Sequence, residues 1–132
     1  MISLGVVADE AEQCNGVVFA VTDDELAALD WRERDYRRVD VTAAVDHEAP
    51  GDLVHEVVLY VPSPDSIERY EAARDAGRAA IRQTYWDLVH DGFDSLGDDH
   101  GAMMRATPPP DVPIADIELR PRPPRGCTRD GG

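Results

Sequence analysis

The stretch from Asn15 to Thr42 constrains the fold most, because it punctuates itself as strand, capped helix, turn and strand. After the Asn15-Gly16 turn, Val17-Val18-Phe19-Ala20-Val21 reads as a strand. Thr22-Asp23-Asp24-Glu25 then spells a capping box. The Thr22 hydroxyl can accept an orphan N–H, and Glu25 can reach back three residues. Asp23 and Asp24 suit the positive end of the helix. The helix is predicted from about Asp23 to Arg34. Beyond it, Val39, Val41, Ala43 and Val45 alternate, which predicts a half-buried strand over Arg38 to Val45.

At about 100° per residue, Leu26, Leu29 and Glu33 fall on one stripe of that helix. An acid on the apolar stripe has two readings. In the first, Glu33 sits at a fraying helix end and pairs with one of Arg32, Arg34, Arg37 and Arg38 at the rim of the core. In the second, it is a partly buried general base. Tyr36 follows three residues later, in the turn. Its hydroxyl either binds a substrate carboxylate or lies in water at the end of the sheet. Asp30 could share the site as a neighbouring like charge.

These residues resemble the central segment of the γ-glutamylcyclotransferase-like superfamily. There a "G-x-V-F/Y-x-V" strand leads to a helix, "L-D-x-x-E", a turn with Tyr, and "R-x-x-V-x-V". Here the matching residues are Gly16 to Val21, Leu29-Asp30-Trp31-Arg32-Glu33, Tyr36, and Arg38 to Val41. The resemblance implies a small mixed, mainly antiparallel, barrel-like sheet with helices packed around it. It also implies that Glu33 is the catalytic acid/base and makes Tyr36 a candidate for substrate binding. The implied chemistry releases 5-oxoproline from a γ-glutamyl compound and needs no metal or organic cofactor. Family members also carry a Tyr-Gly-Ser type loop after their first strand, which holds the γ-glutamyl carboxylate. This chain begins Met1-Ile2-Ser3-Leu4-Gly5 without it. The expectation is a member shortened at its N-terminus, or a chain whose true start lies upstream.

The remaining pattern predicts an α+β fold. Ile2 to Ala8 reads as a first strand, and Leu53 to Val61 as a nearly continuous, central one. Ser63-Pro64 opens a helix that Gly77 breaks or bends. Ile81, Tyr85, Leu88, Val89 and Gly92 trace one helical face, flanked by Trp86 and Phe93. Asp98-Asp99 can cap a short helix, and Val112 to Leu119 reads as a last strand. Residues 1–119 are thus expected to form one domain. Residues 120–132, rich in Arg, Pro and Gly, read as a disordered tail.

Composition excludes several function classes. The chain has 132 residues, 13 basic and 27 acidic, for a formal charge of −14. Such a surface repels nucleic acid and anionic lipid. All the basic residues are Arg, which excludes a Schiff-base or P-loop lysine. No run of 18 apolar residues and no signal peptide is apparent, so the default expectation is a cytoplasmic protein without a membrane span. Cys14 and Cys127 form no paired motif. His47, His55, His90 and His100 lack metal-ligand spacing, so no metal site is expected. Ser3, Ser63, Ser66 and Ser95 lack the context of a hydrolase nucleophile.

Two function classes therefore stand: a γ-glutamylcyclotransferase-like enzyme acting on a small γ-glutamyl substrate, and a non-catalytic binding module of the same fold. In the second, an exposed sheet edge could pair with a partner or a second copy.

Overall fold

The computed structural model describes residues 1–46 and 56–119. In chain order the elements are α1 (Asp23–Arg32), β1 (Tyr36–Asp40), a 3-10 turn (Thr42–Ala44), β2 (Val58–Pro62), α2 (Pro64–Asp75), β3 (Ile81–Arg82), α3 (Gln83–Ser95), α4 (Asp98–Ala106) and β4 (Ile114–Ala115). The architecture is mixed α+β, as predicted. The barrel-like sheet is not: the described strands form two separate two-stranded sheets that do not close. β1 and β2 pair antiparallel, Val39 opposite Leu59. β3 and β4 pair parallel, Ile81 opposite Ile114.

The differences from the predicted strands have physical causes. Val17 to Val21 forms no strand, and Phe19 is 69% exposed. A strand needs a neighbour to satisfy its backbone, and among the described residues β1 and β2 take each other. The predicted Ile2 to Ala8 strand shrinks to one bridge between Ile2 and Ile81, with the Ile2 amide donating to the Ala80 carbonyl at 2.9 Å. The strand expected to run to Val45 stops at Asp40. There the Asp40 carboxylate accepts from the Thr42 amide at 2.9 Å and from its hydroxyl at 2.6 Å, turning the chain into the 3-10 turn. The Thr42 side-chain bond, reinforced by the backbone bond, holds the Asp40 carboxyl below its usual range. β2 is an edge strand among the described residues, not a central one. The predicted Leu53 start of that strand, and His47 and His55, lie outside the described residues, as does the tail from Arg120.

The second half of the chain follows its signals more closely. Ser63 caps α2 through the Ser66 amide, with Pro64 in first position. Gly77 ends α2 with φ at +66°, and the chain closes in a Schellman motif. Its two bonds run from Gly77 N–H to the Arg74 carbonyl at 2.9 Å and from Arg78 N–H to the Ala73 carbonyl at 2.8 Å. In α3 the less exposed positions are Tyr85, Trp86, Val89, His90 and Phe93, whereas Leu88 is 70% exposed. The stripe is therefore rotated one residue from the predicted one. α4 is capped by Gly97, leaving Asp98 and Asp99 in its first turn. The core is Ala79, Ile81 and Val112, with Ile2, Tyr70, Tyr85 and Trp86 packed against it. Ile81, 1% exposed, is its centre.

Candidate functional site

The site begins with the helix that carries Glu33. Thr22 Oγ1 accepts from the Glu25 amide at 3.2 Å, and the Thr22 amide donates to Glu25 Oε2 at 2.8 Å. This is the capping box the sequence spells, and it fixes where α1 starts. The helix then brings Leu26, Leu29 and Glu33 to its less exposed side. Glu33 is the C-cap: its amide donates to the Leu29 carbonyl at 2.8 Å. Its carbonyl accepts from the Tyr36 amide, also at 2.8 Å, closing the turn into β1.

From that shared turn the two side chains go different ways. The Glu33 side chain is 25% exposed, and its Oε1 accepts from Arg32 Nε at 2.7 Å. The Tyr36 hydroxyl lies 3.4 Å from Ser3 Oγ and lines a cavity of about 450 Å³. A second, shallower cleft of about 390 Å³ lies between Phe19 to Val21 and the Glu25, Leu29 and Arg32 side of α1. Glu33 lines neither. Of the arginines proposed to pair with it, the structure selects Arg32.

Asp30, the other acid of the segment, has a structural task. It accepts from Arg38 Nη1 at 2.7 Å and from the Tyr60 hydroxyl at 2.6 Å, tying α1 to both strands of the antiparallel pair. The bond to Asp30 raises the Tyr60 hydroxyl above its usual range.

The cavity at Tyr36 recruits residues that sequence reasoning left aside. Its polar lining is Ser3, Tyr36, Ser66, Tyr70, Glu71 and Asp111. Met1 to Gly5 forms one wall, held by the bridge at Ile2 and by the Leu4 amide donating to the Tyr85 hydroxyl at 3.0 Å. Ser66 and Tyr70 come from α2, four residues apart and therefore on one face. That spacing was a readable signal. Asp111, alone between Pro110 and Val112, gave none. The Tyr70 hydroxyl donates to Asp111 Oδ1, and Arg74 Nη1 donates to Asp111 Oδ2 at 3.0 Å. The Tyr70 bond, aided by Arg74, holds the Asp111 carboxyl below its usual range, and the same bond raises Tyr70. Arg74, bonded first to Asp75 and then to Asp111, is raised beyond its ordinary value.

Among the described residues no group of three or more His, Cys, Asp or Glu side chains is placed to hold a metal ion. No described helix is long and apolar enough to cross a membrane. No curated protein and no solved structure matches the chain. A family model described as gamma-glutamyl cyclotransferase, AIG2-like, matches residues 3–88. That span, more than half of the chain, contains Glu33, Tyr36 and most of the cavity lining. The chain belongs to the AIG2-like gamma-glutamyl cyclotransferase family.

Proposed function

We propose that this protein cyclises a γ-glutamyl compound, with Glu33 as general acid/base. The observation that carries this reading is the family match across the segment holding Glu33 and Tyr36. It is supported by a cavity large enough for a small substrate, opening beside Tyr36.

The substrate's α-ammonium first gives a proton to the Glu33 carboxylate. The freed amine attacks its own γ-carbonyl, forming the ring C–N bond. As the tetrahedral intermediate collapses, the original γ-amide C–N bond breaks. Glu33 returns its proton to the departing amine. The ring nitrogen sheds its second proton as it becomes an amide, and that proton also goes to the departing amine, so the products are 5-oxoproline and the amine as its ammonium, with Glu33 again a carboxylate. Because the attack is intramolecular, the protein's main tasks are to hold a folded conformer and exclude water. The Tyr36 hydroxyl is the group proposed to bind the substrate carboxylate.

This mechanism requires the Glu33 side chain, which lines neither cavity, to turn toward a substrate held at Tyr36 and to exchange Arg32 for its ammonium. Arg32 is 71% exposed, and such a pair is worth at most about 1 kcal/mol, so the exchange is inexpensive. The test is release of 5-oxoproline by the wild-type protein and by Glu33→Gln. Release that depends on Glu33 supports the reading, and equal release by the variant overturns it.

A second reading has its own observation. Glu33 is already paired and lines neither cavity. In that reading the chain is a binding module, and the edges of the β1–β2 ribbon, which no other described strand pairs, receive a partner strand or a second copy. A monomer at all concentrations, by light scattering, counts against the second-copy form.

A further inference from the structure

We propose that Asn15 is a site of slow self-modification, converted to aspartate and isoaspartate through attack by the Gly16 backbone nitrogen, and that a clip to His100 holds the reaction back. The inference does not depend on Glu33 being catalytic.

Asn15 is the single asparagine of the chain, and a glycine follows it. An asparagine side-chain carbonyl carbon can close a five-membered ring with the backbone nitrogen of the next residue. Glycine places no Cβ in the path of that attack. Here the segment from Glu12 to Val21 lies outside any helix or strand. Among the described residues the Gly16 amide has no hydrogen-bond partner. Cys14 and Gly16 are exposed, and nothing stands within 4 Å of the place a Gly16 Cβ would occupy. The backbone rotation that brings Asn15 Cγ to Gly16 N is therefore unobstructed, and water reaches the product ring.

The side chain itself is held. Asn15 Nδ2 lies 2.9 Å from His100 Nδ1 and donates to the His100 carbonyl at 3.3 Å. A carbonyl oxygen only accepts, so the atom facing it is the amide nitrogen. His100 Nδ1 then accepts the second hydrogen as the unprotonated ring nitrogen. Among the described residues, these two bonds are the hydrogen bonds that join residues 6–21 to the rest of the chain. Both run through Nδ2, the atom that leaves. Turning Cγ toward Gly16 N draws Nδ2 away from both partners, so the clip opens before the ring closes.

The bonds change as follows. Gly16 N attacks Asn15 Cγ and gives up its proton, the Cγ–Nδ2 bond breaks, and Nδ2 departs as ammonia carrying that proton. Water then opens the cyclic imide. Attack at Cγ breaks the new Cγ–N bond and yields aspartate. Attack at the Asn15 backbone carbonyl carbon breaks the original peptide bond and leaves the chain running through the side chain, as isoaspartate. Water is the one co-reactant and ammonia the one leaving group. Either product has a carboxylate, which has no hydrogen to donate, facing the His100 carbonyl. Conversion therefore removes the clip and releases residues 6–21 from α4.

The test is incubation of the full chain in mildly alkaline buffer, with peptide mapping by mass spectrometry to follow replacement of NH2 by OH at position 15. Ammonia release should match it. The wild-type chain unfolded in urea should convert at least about fivefold faster than the folded one, the worth of one ordinary hydrogen bond. His100→Ala keeps the carbonyl acceptor and loses the imidazole, so it should speed the folded reaction by a similar factor. Gly16→Ala should slow it severalfold. Amide resonances of residues 6–21 and His100 should move on conversion, and Asn15→Asp should reproduce the shifts of the aspartate product. A folded chain that stays unconverted when the unfolded one has fully converted would overturn the proposal. Equal rates in folded and unfolded wild type, or in folded wild type and His100→Ala, would overturn it too, as would resonances that do not move. The comparison in urea uses the wild-type chain alone and stands even if a variant fails to fold.

Discussion

The amide of Tyr36 donates to the carbonyl of Glu33 at 2.8 Å, while their side chains part, one to Arg32 and the other to the cavity. This turn couples the position of the proposed base to that of the proposed substrate-binding hydroxyl. A change in one backbone position shifts both groups together.

That coupling separates the two roles kinetically. Tyr36→Phe keeps the ring, the turn and the pairing with Pro62. It removes only a hydroxyl whose partner, Ser3 Oγ, is 3.4 Å away, too far for a strong bond. Stability should change by less than about 0.5 kcal/mol, while KM for a γ-glutamyl substrate rises severalfold with little change in kcat. An equal fall in kcat and kcat/KM would place the hydroxyl in the chemical step instead.

The helix that delivers Glu33 depends on its first turn. Thr22→Ala removes the acceptor of the Glu25 amide and half of the capping box. The expected cost is about 1 kcal/mol in urea unfolding. Thr22→Ser should recover most of it. No loss in Thr22→Ala would mean that packing alone sets the start of α1.

The small core concentrates its stability in Ile81. Ile81→Ala should cost about 3 kcal/mol, since among the described residues its side chain is the large one that is fully buried, and truncation leaves a cavity. Val39→Ala, at a half-buried position of β1, should cost less. Urea denaturation of both variants checks the ranking, and a cost at Val39 equal to that at Ile81 would move the stability centre to the ribbon.

Asp111 gives the fold an acid-sensitive contact. Its carboxyl titrates below its ordinary value of 3.8 when folded, first because Tyr70 donates to it and then because of Arg74. A depressed carboxyl stabilises the fold fully above the unfolded value. That contribution is lost as pH falls below 3.8 and through the folded value. Thermal melts of wild type and Asp111→Asn should therefore differ at pH 6 and converge toward pH 2. A difference that grows as pH falls would reverse the sign and remove Asp111 from the account.

How far the sequence revealed this arrangement depended on whether the signals were local. The capping box at Thr22, the Ser63-Pro64 helix start and the Gly77 stop each rest on a few adjacent residues, and each is present in the structure. Strands needed partners that no local pattern supplies. Among the described residues, Val17 to Val21 has strand composition but no strand beside it, and Val112 to Leu119 pairs only at Ile114 and Ala115. The stripe through Leu26, Leu29 and Glu33 was legible because helical spacing is local. Which arginine meets Glu33, and that Tyr36 shares a cavity with Asp111, depended on contacts across the chain. Period and capping rules carry no information about such contacts.

The most direct test of the central claim is chromatographic detection of 5-oxoproline. Wild-type protein and Glu33→Gln would each be incubated with γ-glutamyl amino acids, γ-glutamyl peptides and γ-glutamyl alkylamines. Release from at least one of these classes by the wild type is expected. In Glu33→Gln release should fall by about 10² or more, as for loss of a general acid/base, with the circular dichroism spectrum unchanged. Equal release by a folded Glu33→Gln protein, or no release from any class by the wild type, would contradict it.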